Sequence, residues 1–197
     1  MKKTNINKLK RSRLYSEELG IKLNEKSDEE IFKWFLASIL FGARISETIA
    51  KYTYRTFERY NVVTAKKILD AGWDELVRIL DEGGYVRYDF STADKLLGIC
   101  EILVEKYGSL INVHEQAKDA KDLEQRLLEF KGIGPVTVNI FLRELRPFWD
   151  KADPKVLPIV KKCARRFGIH LDNYRGKSVT FVRIEAGLIR LRKKYHE

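Results

Sequence analysis

Apolar residues recur at helical spacing along nearly the whole chain, and no stretch shows the strict alternation of a half-buried strand. Ser27 with Glu30 makes a capping box ahead of Ile31, Trp34, Phe35, Leu36, Ile39 and Leu40. That segment is apolar enough on all sides to be a buried central helix, and Gly42 ends it. Ser46 caps a helix carrying Ile49, Tyr52, Tyr54 and Phe57; Thr64 caps a short one through Ile68 and Leu69. Asp70-Ala-Gly-Trp-Asp74 breaks the chain before a further short helix to Leu80. The stretch from Asp81 to Ser91 is the most irregular, with two adjacent glycines, three aromatics and an arginine. Ser91 with Asp94 then caps a long helix through Leu96, Ile99, Leu103 and Tyr107, closed by Gly108. Pro147 and Pro154 mark a loop over 146–154. A helix over about 155–167 follows, in which Pro158 demands a late start or a bent first turn. Ser178 caps a last helix whose end carries Arg190, Arg192, Lys193 and Lys194, cations suited to the negative end of the dipole. The fold class is all-α.

The densest signal is Phe130-Lys-Gly-Ile-Gly-Pro-Val-Thr-Val-Asn-Ile-Phe-Leu-Arg-Glu144. Leu123, Leu127 and Phe130 form one helical stripe before it. Gly132 and Gly134 permit a tight turn, and Pro135 sits at a natural first helical position. The second helix therefore opens with unpaired N–H groups at the positive end of its dipole, an arrangement that binds phosphate without any base contact.

Charge makes that phosphate a nucleic acid's. Lys and Arg number 38 against 28 Asp and Glu, a formal net charge of +10, which favours a polyanionic partner. Cys100 and Cys163 lie far apart, so neither a disulfide framework nor a four-cysteine metal site can be built within the chain. Both read as buried residues in a reducing compartment. His114, His170 and His196 form no cluster, and no apolar run reaches membrane-spanning length. The strongly charged segment up to about Asn24 reads as an arm that is mobile or touches nucleic acid.

Lys131-Gly-Ile-Gly-Pro-Val-Thr-Val-Asn139, followed by a loop holding Ala152-Asp153, resembles the helix–hairpin–helix DNA glycosylase superfamily, to which endonuclease III belongs. The similarity covers about residues 29–168. It implies two all-α domains with the lesion pocket between them: residues 1–40 with 150–197, and a helical barrel of residues 41–149 containing the hairpin unit at 122–144. It further implies base-excision repair of double-stranded DNA by a monomer in the cytoplasm, at the nucleoid. The family's catalytic aspartate maps to Asp153, whose charge would stabilise an oxocarbenium-like sugar or help a water attack it. Structurally, the same residue reads as an N-cap of the following helix. Asp150 is the nearby decoy.

Members that also cleave the strand carry a lysine two residues after the second hairpin glycine. Val136 stands there, so the resemblance implies a glycosylase that only hydrolyses the N-glycosidic bond. A non-catalytic DNA-binding protein, or a lyase using a displaced lysine such as Lys155 or Lys131, remain the alternatives. The hairpin amides of Gly132, Gly134 and Val136, together with Lys131, Thr137 and Lys155, are the residues expected to meet DNA. Arg44 and Tyr88, with Arg87 beside it, correspond to the loops that fill the hole left by an extruded nucleotide. The backbone carbonyls of Leu128, Phe130 and Ile133 match a monovalent cation site, for K+ or Na+. The family's iron–sulfur cluster has no ligands here.

Overall fold

The computed structural model describes residues 6–194, with side chains described to residue 191. Residues 1–5 and 195–197, and the side chains of Arg192, Lys193 and Lys194, lie outside that description, as does His196. Among the described residues there are eleven α-helices and no β-strand. They are α1 (Ile6–Lys10), α2 (Tyr15–Glu18), α3 (Asp28–Gly42), α4 (Glu47–Arg59), α5 (Ala65–Glu82), α6 (Asp89–Ile102), α7 (Leu110–Gln116), α8 (Ala120–Leu128), α9 (Pro135–Leu145), α10 (Pro158–Arg166) and α11 (Val179–Lys194).

The all-round apolar sequence of α3 makes it the centre of the larger core. Ile31, Trp34, Phe35, Leu36 and Leu40 are buried, and the Trp34 indole N–H donates to the Phe141 carbonyl at 3.0 Å. Phe35 meets Phe141 edge-on with ring centres 5.0 Å apart. At its far end α3 touches α9 backbone-close: a Cβ on Gly42 would come within 2.2 Å of Thr137 Oγ1. Residues 14–40 thus pack into the same core as α4 to α9, joined by Val182 and Ala186 of α11.

A second, smaller cluster joins the two ends of the chain: Leu9 of α1, Val160, Cys163 and Ala164 of α10, Phe167, and Ile184 and Leu188 of α11. The N-terminal segment is therefore not an arm. Leu9, Leu14, Tyr15, Leu19, Ile21 and Leu23 are all buried. The Glu144 carboxylate accepts from the amides of Tyr15 at 2.9 Å and Ser16 at 3.0 Å, which ties α2 to α9. Apolar residues scattered among charges hold this segment in place. Only residues 1–5 of it escape description.

Caps expected at Ser46, Thr64 and Ser178 form, each hydroxyl accepting from the amide three residues on. Ser27 makes half a capping box: it accepts from the Glu30 amide, while the Glu30 carboxylate turns to Lys22 N and Lys33. Within α5, Gly72 has φ 71° and ψ 178°, so two helical pieces meet at the expected break. Ser91 caps nothing; α6 already begins at Asp89, and Asp94 accepts from the Trp73 indole at 2.8 Å. Pro158 sits in the first turn of α10, so the late start is the outcome.

Candidate active site

The hairpin forms where the glycines predict it. Asp119 caps α8, and the chain turns through Gly132 at φ +83°, with the Ile133 amide donating to the Phe130 carbonyl at 3.0 Å. Phe130 and Ile133 are buried and anchor the turn, which leaves Lys131, Gly132, Pro135 and Val136 exposed. Gly134 is the N-cap of α9 in an extended conformation, and no side chain caps this end. The Val136 amide at the mouth of the helix therefore has no intrahelical acceptor. The Thr137 side chain is buried and turned inward onto Gly42. The two glycines have different reasons. A Cβ on Gly132 would meet Lys95 Cε at 2.7 Å in a backbone conformation hostile to other residues, whereas one on Gly134 would meet nothing within 4 Å. Gly132→Ala should cost more than about 1 kcal/mol of stability. Gly134→Ala should cost little, as urea denaturation of the two variants would measure.

Lys95 was not foreseen from the sequence. It reaches from α6 to lay its aliphatic stem on the Gly132 backbone, and burial pulls its ammonium below the usual lysine range.

Downstream of α9, Trp149 is buried and stacks on His114 with ring centres 4.5 Å apart, so it is packing rather than a base-stacking surface. Asp150 is bound by His114 Nε2 at 2.7 Å, and its own carbonyl accepts from Lys177. Asp153 is exposed and is not an N-cap, because α10 begins five residues later with Leu157 at its N-cap. Its carboxylate is instead 3.4 Å from Arg146 Nη1. Arg146 is buried, donates from Nη2 to the Pro154 carbonyl and faces the buried Glu185 of α11 at 3.6 Å. Burial pulls the Arg146 guanidinium down and pushes the Glu185 carboxyl up, each resisted by the other's charge.

Next to this loop runs a groove in two parts that share Val136 and Leu157. One part, about 300 Å³, is lined by Glu124, Asn139, Pro154 and Lys155 among others. Asn139 donates to the Lys155 carbonyl at 2.9 Å, while its buried Oδ1 has no hydrogen-bond partner. Burial pushes the Glu124 carboxyl up; Lys155 opposes this, and Asp153 adds to it, which places these charges within reach of one another. The other part, about 370 Å³, is lined by Tyr15, Phe41, Ile45, Glu47, Val136, Ile140, Arg143 and Ile189. It lies where the larger core meets the terminal cluster, since Leu157 and Ile189 pack against the latter.

Arg44 is exposed on the bend after α3, between Ala43 and Ile45, which line the larger part. Arg87 and Tyr88 line neither part. Tyr88 packs edge-on to the buried Tyr85 at 6.2 Å, with the Arg87 guanidinium 5.7 Å from its ring. Beside them Val86, Phe90 and Trp73 are exposed, with Trp73 and Phe90 in ring contact at 5.3 Å. The carbonyls of Leu128, Phe130 and Ile133 suit a monovalent cation chemically, being neutral oxygens. That of Phe130 spends one lone pair on the Ile133 amide and keeps the other. Among the described residues, no group of three His, Cys, Asp or Glu could hold a metal ion, and no helix is long and apolar enough to cross a membrane. Cys100 is buried, its thiol pushed up to about 12 by burial, and Cys163 is buried too.

Comparison of the chain with protein-family models, with curated proteins and with solved structures found no match in any of the three.

Proposed function

We propose that the protein is a DNA glycosylase that extrudes a damaged or mispaired base from duplex DNA and hydrolyses its N-glycosidic bond. The observation that carries this reading is the adjacency of three things. An exposed glycine hairpin opens onto the uncapped start of α9. A groove begins at Val136, one residue beyond that helix's first position. An exposed carboxylate, Asp153, precedes the Pro154-Lys155 wall of the groove.

The hairpin amides and Lys131 take a backbone phosphate, helped by the helix dipole. Arg44, at the rim of the groove, occupies the gap that the extruded nucleotide leaves. Two domains, with the chain's ends in one and its middle in the other, flank the groove. As the base departs, positive charge grows on the sugar, and Asp153 opposes it while Arg146 holds the carboxylate in place. A K+ or Na+ on the carbonyls of Leu128, Phe130 and Ile133 would add positive charge beneath the phosphate. Val136 is 59 % exposed at the position where a strand-cleaving relative has its amine, and a valine cannot form a Schiff base.

Two alternatives have their own support. The Arg146–Asp153 pair places a cation against the very charge that catalysis needs, which favours a module that binds DNA and does no chemistry. Lys155 lines the groove, which favours a lyase. Strand scission of end-labelled lesion duplexes separates the three. Hydrolysis alone predicts scission only after hot alkali. Scission without alkali, with an adduct trapped by borohydride, would make it a lyase. No scission of any lesion duplex under either condition would leave the binding module.

A further inference from the structure

Buried at the back of the larger part of the groove is a charge that the reading above does not use. Arg143 is 3 % exposed, lines the cavity, and its Nε has no hydrogen-bond partner. Its guanidinium carbon lies 5.9 Å from the centre of the Tyr15 ring. None of the neighbouring carboxylates hydrogen-bonds to Arg143, although Glu185 lies within electrostatic reach. Glu144 accepts from the Tyr15 and Ser16 amides, and Glu185 faces Arg146. Glu47, the one carboxylate in the cavity wall, is held by Lys51 at 2.6 Å. Apart from Ser46, whose hydroxyl caps α4, the rest of the wall is apolar or aromatic, with Phe41, Ile45, Val136, Ile140 and Ile189.

A buried guanidinium N–H without an acceptor is costly to leave unpaired, and natural interiors seldom do so. Arginine here offers donors and no acceptor, in a planar fork suited to two adjacent acceptors. At about 370 Å³ the cavity falls within the range of ordinary ligand pockets, about 300–1,000 Å³. Val136, Ile140 and Arg143 recur at helical spacing on one face of α9. A planar ring entering past Val136 would slide along Ile140 and end against Arg143, with its flat faces toward apolar walls.

We infer that this cavity is the base pocket and that Arg143 reads the acceptor edge of a neutral, keto-bearing base. This rests on the glycosylase reading and names its substrate class. Oxidised guanine, hypoxanthine and uracil all present a carbonyl oxygen to a donor fork. A cationic N-alkylated purine is disfavoured by the buried positive charge, and a base showing only an amino edge leaves Arg143 unpaired.

The test uses the full chain with Asp153→Asn, so that binding is read without turnover. Probes are duplexes with one 8-oxoguanine, hypoxanthine, uracil, 7-methylguanine or ethenoadenine, and an undamaged control. At least one keto lesion should bind about 10–100-fold tighter than 7-methylguanine, ethenoadenine and control. Arg143→Met, which keeps length and loses charge, should collapse that preference to about twofold, and Arg143→Lys should restore part of it. Preference for 7-methylguanine or ethenoadenine in the unsubstituted pocket would overturn the inference even if Arg143→Met failed to fold. So would a keto preference that survives in a folded Arg143→Met protein. If wild-type protein releases bases while either result holds, the inference alone falls. If it releases none and binds every duplex alike, the glycosylase reading falls with it.

Discussion

Asp153→Asn is expected to slow base release by about a thousandfold, the upper range for removing one preorganised charge or dipole from a transition state. Asparagine keeps the shape of the side chain and its contact with Arg146, but carries no negative charge to set against the developing oxocarbenium ion. Affinity for duplex DNA should change little, because in the proposed reading the hairpin at 131–136, and not Asp153, takes the phosphate. Single-turnover release rates and dissociation constants, measured on the same duplex at one salt concentration, check both halves. Equal loss of binding and rate would mean that Asp153 serves the fold or the DNA contact rather than the chemistry. Asp150→Asn is the matched control: its carboxylate is held by His114 and adjoins no part of the groove.

The second large effect concerns stability. Arg146→Met should destabilise the protein by about 3–5 kcal/mol, the usual result of leaving one member of a buried ion pair alone. The stranded partner is Glu185, buried on α11. Arg146→Met with Glu185→Leu should recover most of that loss, since two apolar groups satisfy each other, yet should not recover base release, because Asp153 is still untethered. Urea denaturation and release rates on the single and double variants form the cycle. pH supplies a sign. Burial already holds the Glu185 carboxyl above its ordinary value of 4.5, and Arg146 opposes that shift. Removing Arg146 raises it further. A carboxyl with a raised folded-state pKa binds more protons folded than unfolded, so stability falls as pH rises through the window above 4.5. The deficit of Arg146→Met should therefore be largest near neutral pH and shrink as pH is lowered below 4.5, where both states are protonated. A pH-independent deficit would mean that Glu185 is not the stranded group.

What the sequence made legible was local. Helical periodicity and hydroxyl caps mark most helices, and Gly-Ile-Gly-Pro marks the hairpin, because each depends on residues within a turn of one another. The Gly72 break belongs to the same class: glycine there takes a positive φ. Buried charges leave no such local mark. Arg143, Glu144, Arg146 and Glu185 are all buried, and their partners are remote; Glu144 meets Tyr15 across 129 residues of chain. No spacing rule links such positions. The N-terminal segment is hidden in the same way: lysines and arginines outnumber its leucines, of which Leu9 packs with α11 while Leu14, Leu19 and Leu23 join the larger core. Asp153 lies on the loop expected over 146–154, but a local role as a cap requires α10 to begin earlier than Pro158 allows. Glu124 and Lys95 acquire interest only through tertiary neighbours, one beside the Asp153 loop and the other on the hairpin.

The central claim is chemical, and the low-mass fraction of a reaction tests it most directly. Wild-type protein is incubated with a panel of duplexes, each bearing one altered or mispaired base, and released free base is identified by mass spectrometry. The account predicts a free base from at least one duplex, an intact abasic strand left behind, and release at a thousandth of that rate or less from Asp153→Asn. Tight binding of the same duplexes with no free base from any of them would contradict it.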